Sequence, residues 1–329
     1  MRRRRSPALV ALVLVLSACG AGTGGATQVD PADEVRALPR LGAAEVVVEP
    51  DGLDYSPTGE VVFPSLFHAG EHLAEPLGEW YLYTAPHEVP GGVVLLVADT
   101  LDGPWVEHPG GPVVSASSPP HFDVSHVSSP DVVWHDETSE LFLYFHGENS
   151  TTRYATSRDG VSFTYGGEAV WNSLGGEEVT ESSYARVFEH PDPSSGFRWA
   201  MFYMTNSRDD VRRIRLAESI DGRSWVVDEE PVIEPGPGDG GNVSGANLWT
   251  WRGQHFVVYH TANGRIMARP VGVDLRPTSG AVVLLDPDQA VDVDRVAAPE
   301  PVEDGGVLYL FFEAGDRLDA QIQSVRTAP

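Results

Sequence analysis

From residue 61 onward the chain is a succession of short hydrophobic runs, four to six residues long, separated by turns rich in Gly, Asp and Pro. Within 121–164, residues 131–134 predict a strand and 140–145 a second that alternates aromatic and aliphatic side chains. Residues 153–157 predict a third, and 162–164 a fourth after the Arg158-Asp159-Gly160 turn. Asp-Gly between short strands is a hairpin signal, because both residues tolerate the backbone a tight turn requires. The aromatic second strand recurs at 80–83, 199–203, 255–259 and 307–312. Measured at Tyr83, Tyr144, Tyr203, Tyr259 and Phe312, the spacings are 61, 59, 56 and 53 residues. Asp-Gly turns followed by an aromatic recur at Asp102-Gly103 with Trp105, Asp159-Gly160 with Phe163, and Asp221-Gly222 with Trp225.

Repetition at this period, with four strands per unit, is the signature of a propeller. The expected fold is all-β: a five-bladed β-propeller of four-stranded antiparallel blades. It forms one domain over 44–329, with blades at about 61–114, 126–170, 184–233, 246–285 and 299–325. The chain ends before blade five has a fourth strand, and residues 45–49 are expected to supply it.

Residues 1–19 read as a targeting segment: a basic Arg2–Arg5 start, an apolar run over 8–16 too short to span a bilayer, then Leu16-Ser17-Ala18-Cys19. The last four residues resemble a bacterial lipobox, which implies cleavage before Cys19 and lipid on its sulfur. Residues 20–43, rich in Gly, Ala, Thr and Asp, read as a tether. The expected location is outside the cytoplasm, anchored to the bacterial cell membrane by lipid alone. Cys19 is the only cysteine, which leaves no disulfide and no thiolate site in the body of the chain. The net charge of −26 becomes −30 without Arg2–Arg5. So acidic a surface disfavours nucleic acid and anionic membrane as partners and favours neutral ligands. A monomer is expected.

Propeller geometry then says which residues meet. The starts of inner strands and the ends of second strands share one face. Ser65, Asp131, Glu181, Tyr184, Arg186, Asn247 and Glu300 therefore surround one channel mouth, joined by His87, His146, Asn206, His260 and Glu313. His121, Asp123 and His126 lie in the loop entering blade two. His87, His121, Asp123, His126, His146, Tyr184, Arg186, Asn247 and His260 are the candidate ligand contacts. Several of these residues carry structural alternatives: Asp131 as a cap on neighbouring backbone amides, Arg186 as the partner of a channel carboxylate, Glu181 as part of an acidic loop with Glu177 and Glu178, His146 and His260 as hydrogen-bonded wall residues, and His121 and His126 as members of a solvated loop. No tight His spacing marks a catalytic metal and no cofactor is required; the metal reading that stays open is a structural Ca²⁺ in the channel.

The aromatic second strands, with Ala-Thr-Ser-Arg-Asp-Gly-Val-Ser-Phe-Thr over 155–164 and Ala-Glu-Ser-Ile-Asp-Gly-Arg-Ser-Trp over 217–225, resemble the five-bladed glycoside hydrolases of families 43, 32, 62 and 68 and relatives such as 117 and 130. That resemblance implies a base, a pKa-tuning residue and an acid on the first three inner strands, the base in an Asp-Pro-Ser context. The matching stretches are Phe63-Pro64-Ser65, which lacks the acid, Ser129-Pro130-Asp131, with its acid two positions late, and Glu181-Ser182-Ser183-Tyr184. Asp131, Glu181 and Glu300 are the carboxylates available for acid and base work at the mouth. The expectation is a glycoside-hydrolase-like enzyme acting on a neutral poly- or oligosaccharide. The alternatives are a non-catalytic glycan-binding lipoprotein, favoured by the missing acid, and a polysaccharide lyase.

Overall fold

The computed structural model describes residues 38–327. The targeting segment, Cys19 and most of the tether fall outside the described residues. Five four-stranded antiparallel sheets stand around a central channel. The closing strand β1 (Glu45–Val48) comes first in the chain. Blade one is β2 (Val62–His68), β3 (Trp80–Ala85), β4 (Val94–Ala98) and β5 (Val106–Glu107). A small ribbon follows, β6 (Ser117–Ser118) with β7 (Phe122–Asp123). Blade two is β8 (Val127–His135), β9 (Glu140–Gly147), β10 (Thr151–Ser157) and β11 (Thr164–Trp171). Blade three is β12 (Val179–Glu189), β13 (Trp199–Ser207), β14 (Arg212–Ser219) and β15 (Val226–Val227). Blade four is β16 (Val243–Trp251), β17 (Gln254–Thr261), β18 (Ile266–Val271) and β19 (Val282–Leu285). Blade five is β20 (Val296–Asp304), β21 (Val307–Ala314) and β22 (Gln321–Arg326), completed by β1 at its outer edge.

The closure expected from residues 45–49 is therefore made. Glu45 pairs with Ser324 and Val48 with Ile322. The N-terminal pairing starts earlier than the predicted boundary at 44, because Leu41 bridges Thr327 and the Gly42 N–H donates to the Arg326 carbonyl at 2.8 Å.

The second strands are hydrophobic on both faces because each blade is covered on both sides by its neighbours. Tyr81 and Tyr83 pack toward blade two with Leu141, Leu143 and Phe145, while Leu82 packs toward blade five with Tyr309 and Phe311. Removing a side chain of this size from water stabilises the fold by about 1.5–3 kcal/mol. The Asp-Gly turns add a second kind of joint. Asp159 Oδ1 accepts the Val161 and Ser162 N–H groups at 2.8 and 2.7 Å, and Asp221 Oδ1 accepts those of Arg223 and Ser224 at 2.8 and 2.9 Å. These bonds hold Asp159 and Asp221 below the usual carboxylate pKa against the opposing effect of burial. Each turn then offers its glycine carbonyl to the preceding blade: Tyr83 Oη donates to Gly160 and Tyr144 Oη to Gly222, both at 2.6 Å. A Cβ at Gly160 would lie 2.7 Å from the Tyr81 ring, and its φ is +72°, so the position requires glycine.

Candidate functional site

All five inner strands break register at the same place. The breaks fall between Val62 and Ser65, Ser128 and Asp131, Ser183 and Arg186, Ser244 and Asn247, and Ala297 and Glu300. In each break one residue has positive φ: Phe63 at 59°, Ser129 at 45°, Tyr184 at 54°, Gly245 at 56° and Ala298 at 44°. Such a bulge turns the strand and re-aims the side chains beside it. Two layers result, one at the bulge and one two residues deeper.

The deeper layer is a polar girdle that ties blade to blade. Ser65 Oγ accepts the Val132 N–H at 3.0 Å, Asp131 Oδ2 the Val187 N–H at 2.7 Å, and Glu300 Oε1 the Leu66 N–H at 3.1 Å. Asn247 Nδ2 donates to Glu300 Oε2 at 2.7 Å. Arg186 donates to the carbonyls of Pro130 and Pro64 and meets Asp131 Oδ1 at 3.5 Å. Arg186, Asp131 and Glu300 are all buried. Burial pushes the Asp131 and Glu300 carboxyls above their ordinary range, with Arg186 opposing it. The structural alternatives for Asp131 and Arg186 are thus the arrangements observed: an amide cap and a carboxylate partner. Asn247 and Glu300 belong to the same girdle.

The upper layer closes the channel with rings. Phe63 lies 5.2 Å from both the His87 and Tyr184 rings, and Tyr184 Oη meets His87 Nε2 at 2.9 Å. Ser129 Oγ meets His146 Nδ1 at 2.5 Å, and the His146 ring lies 5.5 Å from those of Tyr184 and His126. His126 Nε2 contacts Asn149 Oδ1 at 3.0 Å. His260 Nδ1 accepts the Ala298 N–H at 3.2 Å and so caps the bulge of blade five. Burial holds His87 down to about 4 and keeps His146 and His260 well below the ordinary imidazole value, so all three are neutral at pH 7. The mouth therefore unites His87, His126, His146, Tyr184 and His260. His121 and Asp123 are not part of it: they sit on the β6–β7 ribbon, where the His121 ring stacks on Tyr165 of the outer strand β11 at 4.8 Å.

Glu181 reaches the mouth from the start of β12. One of its oxygens accepts the Ser183 hydroxyl at 2.8 Å and the other lies 3.9 Å from Arg212. The register, however, puts Tyr184, three residues further on, at the position matching Phe63 and Ser129. Glu313, expected at the mouth, is joined on the rim by Glu60, Glu88, Arg295 and Arg317, which the sequence did not single out. Glu60 accepts the His87 and Leu318 N–H groups at 2.6 and 2.8 Å, Arg295 pairs with Glu313, and Arg317 with Glu88. Among the described residues no group of three or more His, Cys, Asp or Glu is arranged to hold a metal ion. The channel carboxylates are engaged by Arg186, Asn247 and backbone amides.

The chain shares the fold of five-bladed glycoside hydrolases of the family 43 and 62 type. A structure described as a glycoside hydrolase superposes with TM-score 0.64 at 14% identity, covering 91% of this chain and 94% of the other. An endo-1,4-β-xylanase from Bacteroides thetaiotaomicron matches with TM-score 0.59 at 15% identity, covering 85% and 91%. An α-L-arabinofuranosidase from Podospora anserina, in complex with cellotriose, matches with TM-score 0.58 at 10% identity, covering 89% and 98%. No family model and no curated protein sequence matches the chain.

Proposed function

We propose that the protein is a glycan-binding propeller, lipid-anchored at Cys19, that holds a neutral poly- or oligosaccharide at its mouth without the two-carboxylate hydrolysis of the enzymes whose fold it shares. One observation carries this reading. The three inner-strand positions where the resemblance expects a base, a tuning residue and an acid hold Phe63, Ser129 and Tyr184. None of these can ionise to a carboxylate, and Phe63 and Tyr184 are packed against each other. Hydrolysis of a glycosidic bond needs a proton donor on one side and a base or nucleophile on the other, about 5–9.5 Å apart. Asp131 and Glu300 lie a layer deeper, beneath the rings and bonded to backbone amides. Of the other carboxylates at the mouth, Glu60 accepts two backbone amides and Glu313 and Glu88 are paired with Arg295 and Arg317, which leaves Glu181 as the one not closed onto a cation or backbone amides.

The chain's course supports an outward-facing mouth. β21 rises to the mouth, β22 descends from it, and Leu41 and Gly42 join the lower end of β22 at Thr327 and Arg326. The described residues thus begin at the face opposite the mouth.

The test is a panel of arabinan, xylan and galactan fragments offered to the mature chain purified without lipid, with binding read by calorimetry and products by mass. Binding with unchanged glycan mass is expected. Shortened products that disappear in Glu181→Gln would overturn the non-hydrolytic reading and make Glu181 a catalytic residue.

A further inference from the structure

One polar pair at the mouth is left open. Blade three sets Glu181, Asn206 and Arg212 side by side, Glu181 opposite Asn206 on β12 and β13, and Asn206 opposite Arg212 on β13 and β14. Residues directly opposite in antiparallel strands project to the same face. The Arg212 side chain is 36% exposed, and its guanidinium approaches Glu181 Oε2 only to 3.9 Å. Its guanidinium makes no hydrogen bond among the described residues, and its backbone N–H donates to Asn242 Oδ1. A charge-assisted N–H···O bond closes at about 2.7–2.9 Å, so this pair is held apart. The neighbouring mouth carboxylates differ: Glu60 is filled by two backbone amides, and Glu313 and Glu88 are closed onto Arg295 and Arg317. Arg212, like Arg295, also bears electrostatically on His87, Tyr184 and His260.

We propose that Glu181 and Arg212 form a subsite that reads one hydroxyl of a neutral sugar, the oxygen accepting from the guanidinium and its proton donated to the carboxylate. A gap of 3.9 Å admits this geometry. An oxygen about 2.7–3.0 Å from each end forms the apex of a triangle across the gap and satisfies both groups. A sugar carboxylate set at this position does not fit: the ionised group has no proton to give Glu181, and it meets that charge together with a chain of net charge −26. The inference rests on the reading that the mouth binds glycan and names what that mouth selects.

The experiment titrates the mature chain with the tightest-binding neutral oligosaccharide of the arabinan, xylan and galactan panel, and with a xylo-oligosaccharide bearing glucuronic acid. Arg212→Gln and Glu181→Gln are each expected to weaken the neutral ligand at least tenfold. Their double variant should be no weaker than the worse single, because one bridging hydroxyl needs both groups. Arg212→Lys, which keeps the charge and loses the fork, should also weaken binding, and Glu181→Gln should narrow the preference against the acidic ligand. Melting curves matching the wild type separate these losses from unfolding. Wild-type affinity in both single variants would overturn the subsite and leave glycan binding standing. If the wild type binds no fragment at all, the underlying reading fails and the subsite with it.

Discussion

His135 shows how tightly single residues are set in this fold. Its ring lies 3.6 Å from Phe142 and 4.0 Å from Trp199, nearly parallel to both, and its Nε2 is buried without a hydrogen-bond partner. Burial, aided by Arg198 and Arg223, lowers it from 6.5 to about 3. Because the folded-state value is lower, the unfolded chain binds the extra proton between pH 6.5 and about 3. This contribution to stability is therefore complete above 6.5 and is lost as pH falls, at up to about 1.4 kcal/mol per pH unit. His87, His146 and His260 act in the same direction. Asp131 and Glu300 act oppositely: their raised carboxyls bind protons more readily in the folded state, which favours folding as pH falls toward the ordinary carboxylate value. The wild-type slope is the sum of these, but His135→Phe isolates one of them. Urea unfolding between pH 4 and 6 should show the variant's stability falling less steeply, by one proton. Identical slopes would mean that His135 is already protonated in the folded protein.

At the scale of the element, the tyrosine clips and the five bulges explain what could be read from the chain and what could not. Tyr144 donates to Gly222 of the next blade, whereas Tyr203, one blade on, has its hydroxyl buried with no partner. The register supplies the cause: Asp131 pairs with Tyr144 but Arg186 pairs with Phe202, so Tyr203 is one position out of step and turns back toward blade two, among Tyr144 and Tyr154, where no turn carbonyl receives its hydroxyl. Tyr144→Phe should cost about 1–3 kcal/mol, since it also strands a buried carbonyl, while Tyr203→Phe should be neutral or stabilising by up to about 1 kcal/mol. Denaturant unfolding of the two variants checks the contrast, and equal losses would refute it. The blades were legible because aromatic second strands and Asp-Gly turns carry a period. The inner-strand bulges carry one too, in a weaker form: a residue of any size, then Pro or Ala, then a polar residue, as Phe63-Pro64-Ser65, Ser129-Pro130-Asp131, Tyr184-Ala185-Arg186, Gly245-Ala246-Asn247 and Ala298-Pro299-Glu300. Aligning these five puts Tyr184 level with Phe63, and it separates the girdle from the ring stopper. Without the bulge, both layers read as one mouth, and Asp131 and Glu300 look like catalytic acids. The contacts of Arg212, Arg295 and Arg317 come from loops and from third-strand starts, where no repeat exists to locate them.

For the whole molecule, the decisive feature is that the first strand of the described residues completes the last blade. β1 fastens the ring at its outer edge, so the segment before it leaves from the face that carries the Asp102, Asp159 and Asp221 turns. Arg326 ties that corner to Asp102 of blade one at 2.7 Å. With the proposed lipid on Cys19, only the 18 residues at 20–37 separate the anchor from the described fold, a reach of at most roughly 65 Å when fully extended. Under that proposal the turn-bearing face is expected nearer the bilayer than the mouth, which is the orientation a glycan-capturing surface needs. The chain has no other cysteine, so one introduced thiol can report each face without background. Ile220, 69% exposed in the Asp221 turn, marks the lower face, and Val89, 59% exposed in the loop between β3 and β4, marks the mouth. A fluorophore on Ile220→Cys of the lipidated protein should be quenched by lipid-borne quencher more strongly than one on Val89→Cys. The difference should vanish in a Cys19→Ser background, where no lipid holds the protein to the vesicle. Stronger quenching at Val89 would mean that the mouth faces the membrane, and that the ligand is a component of the bilayer surface instead of a glycan arriving from outside.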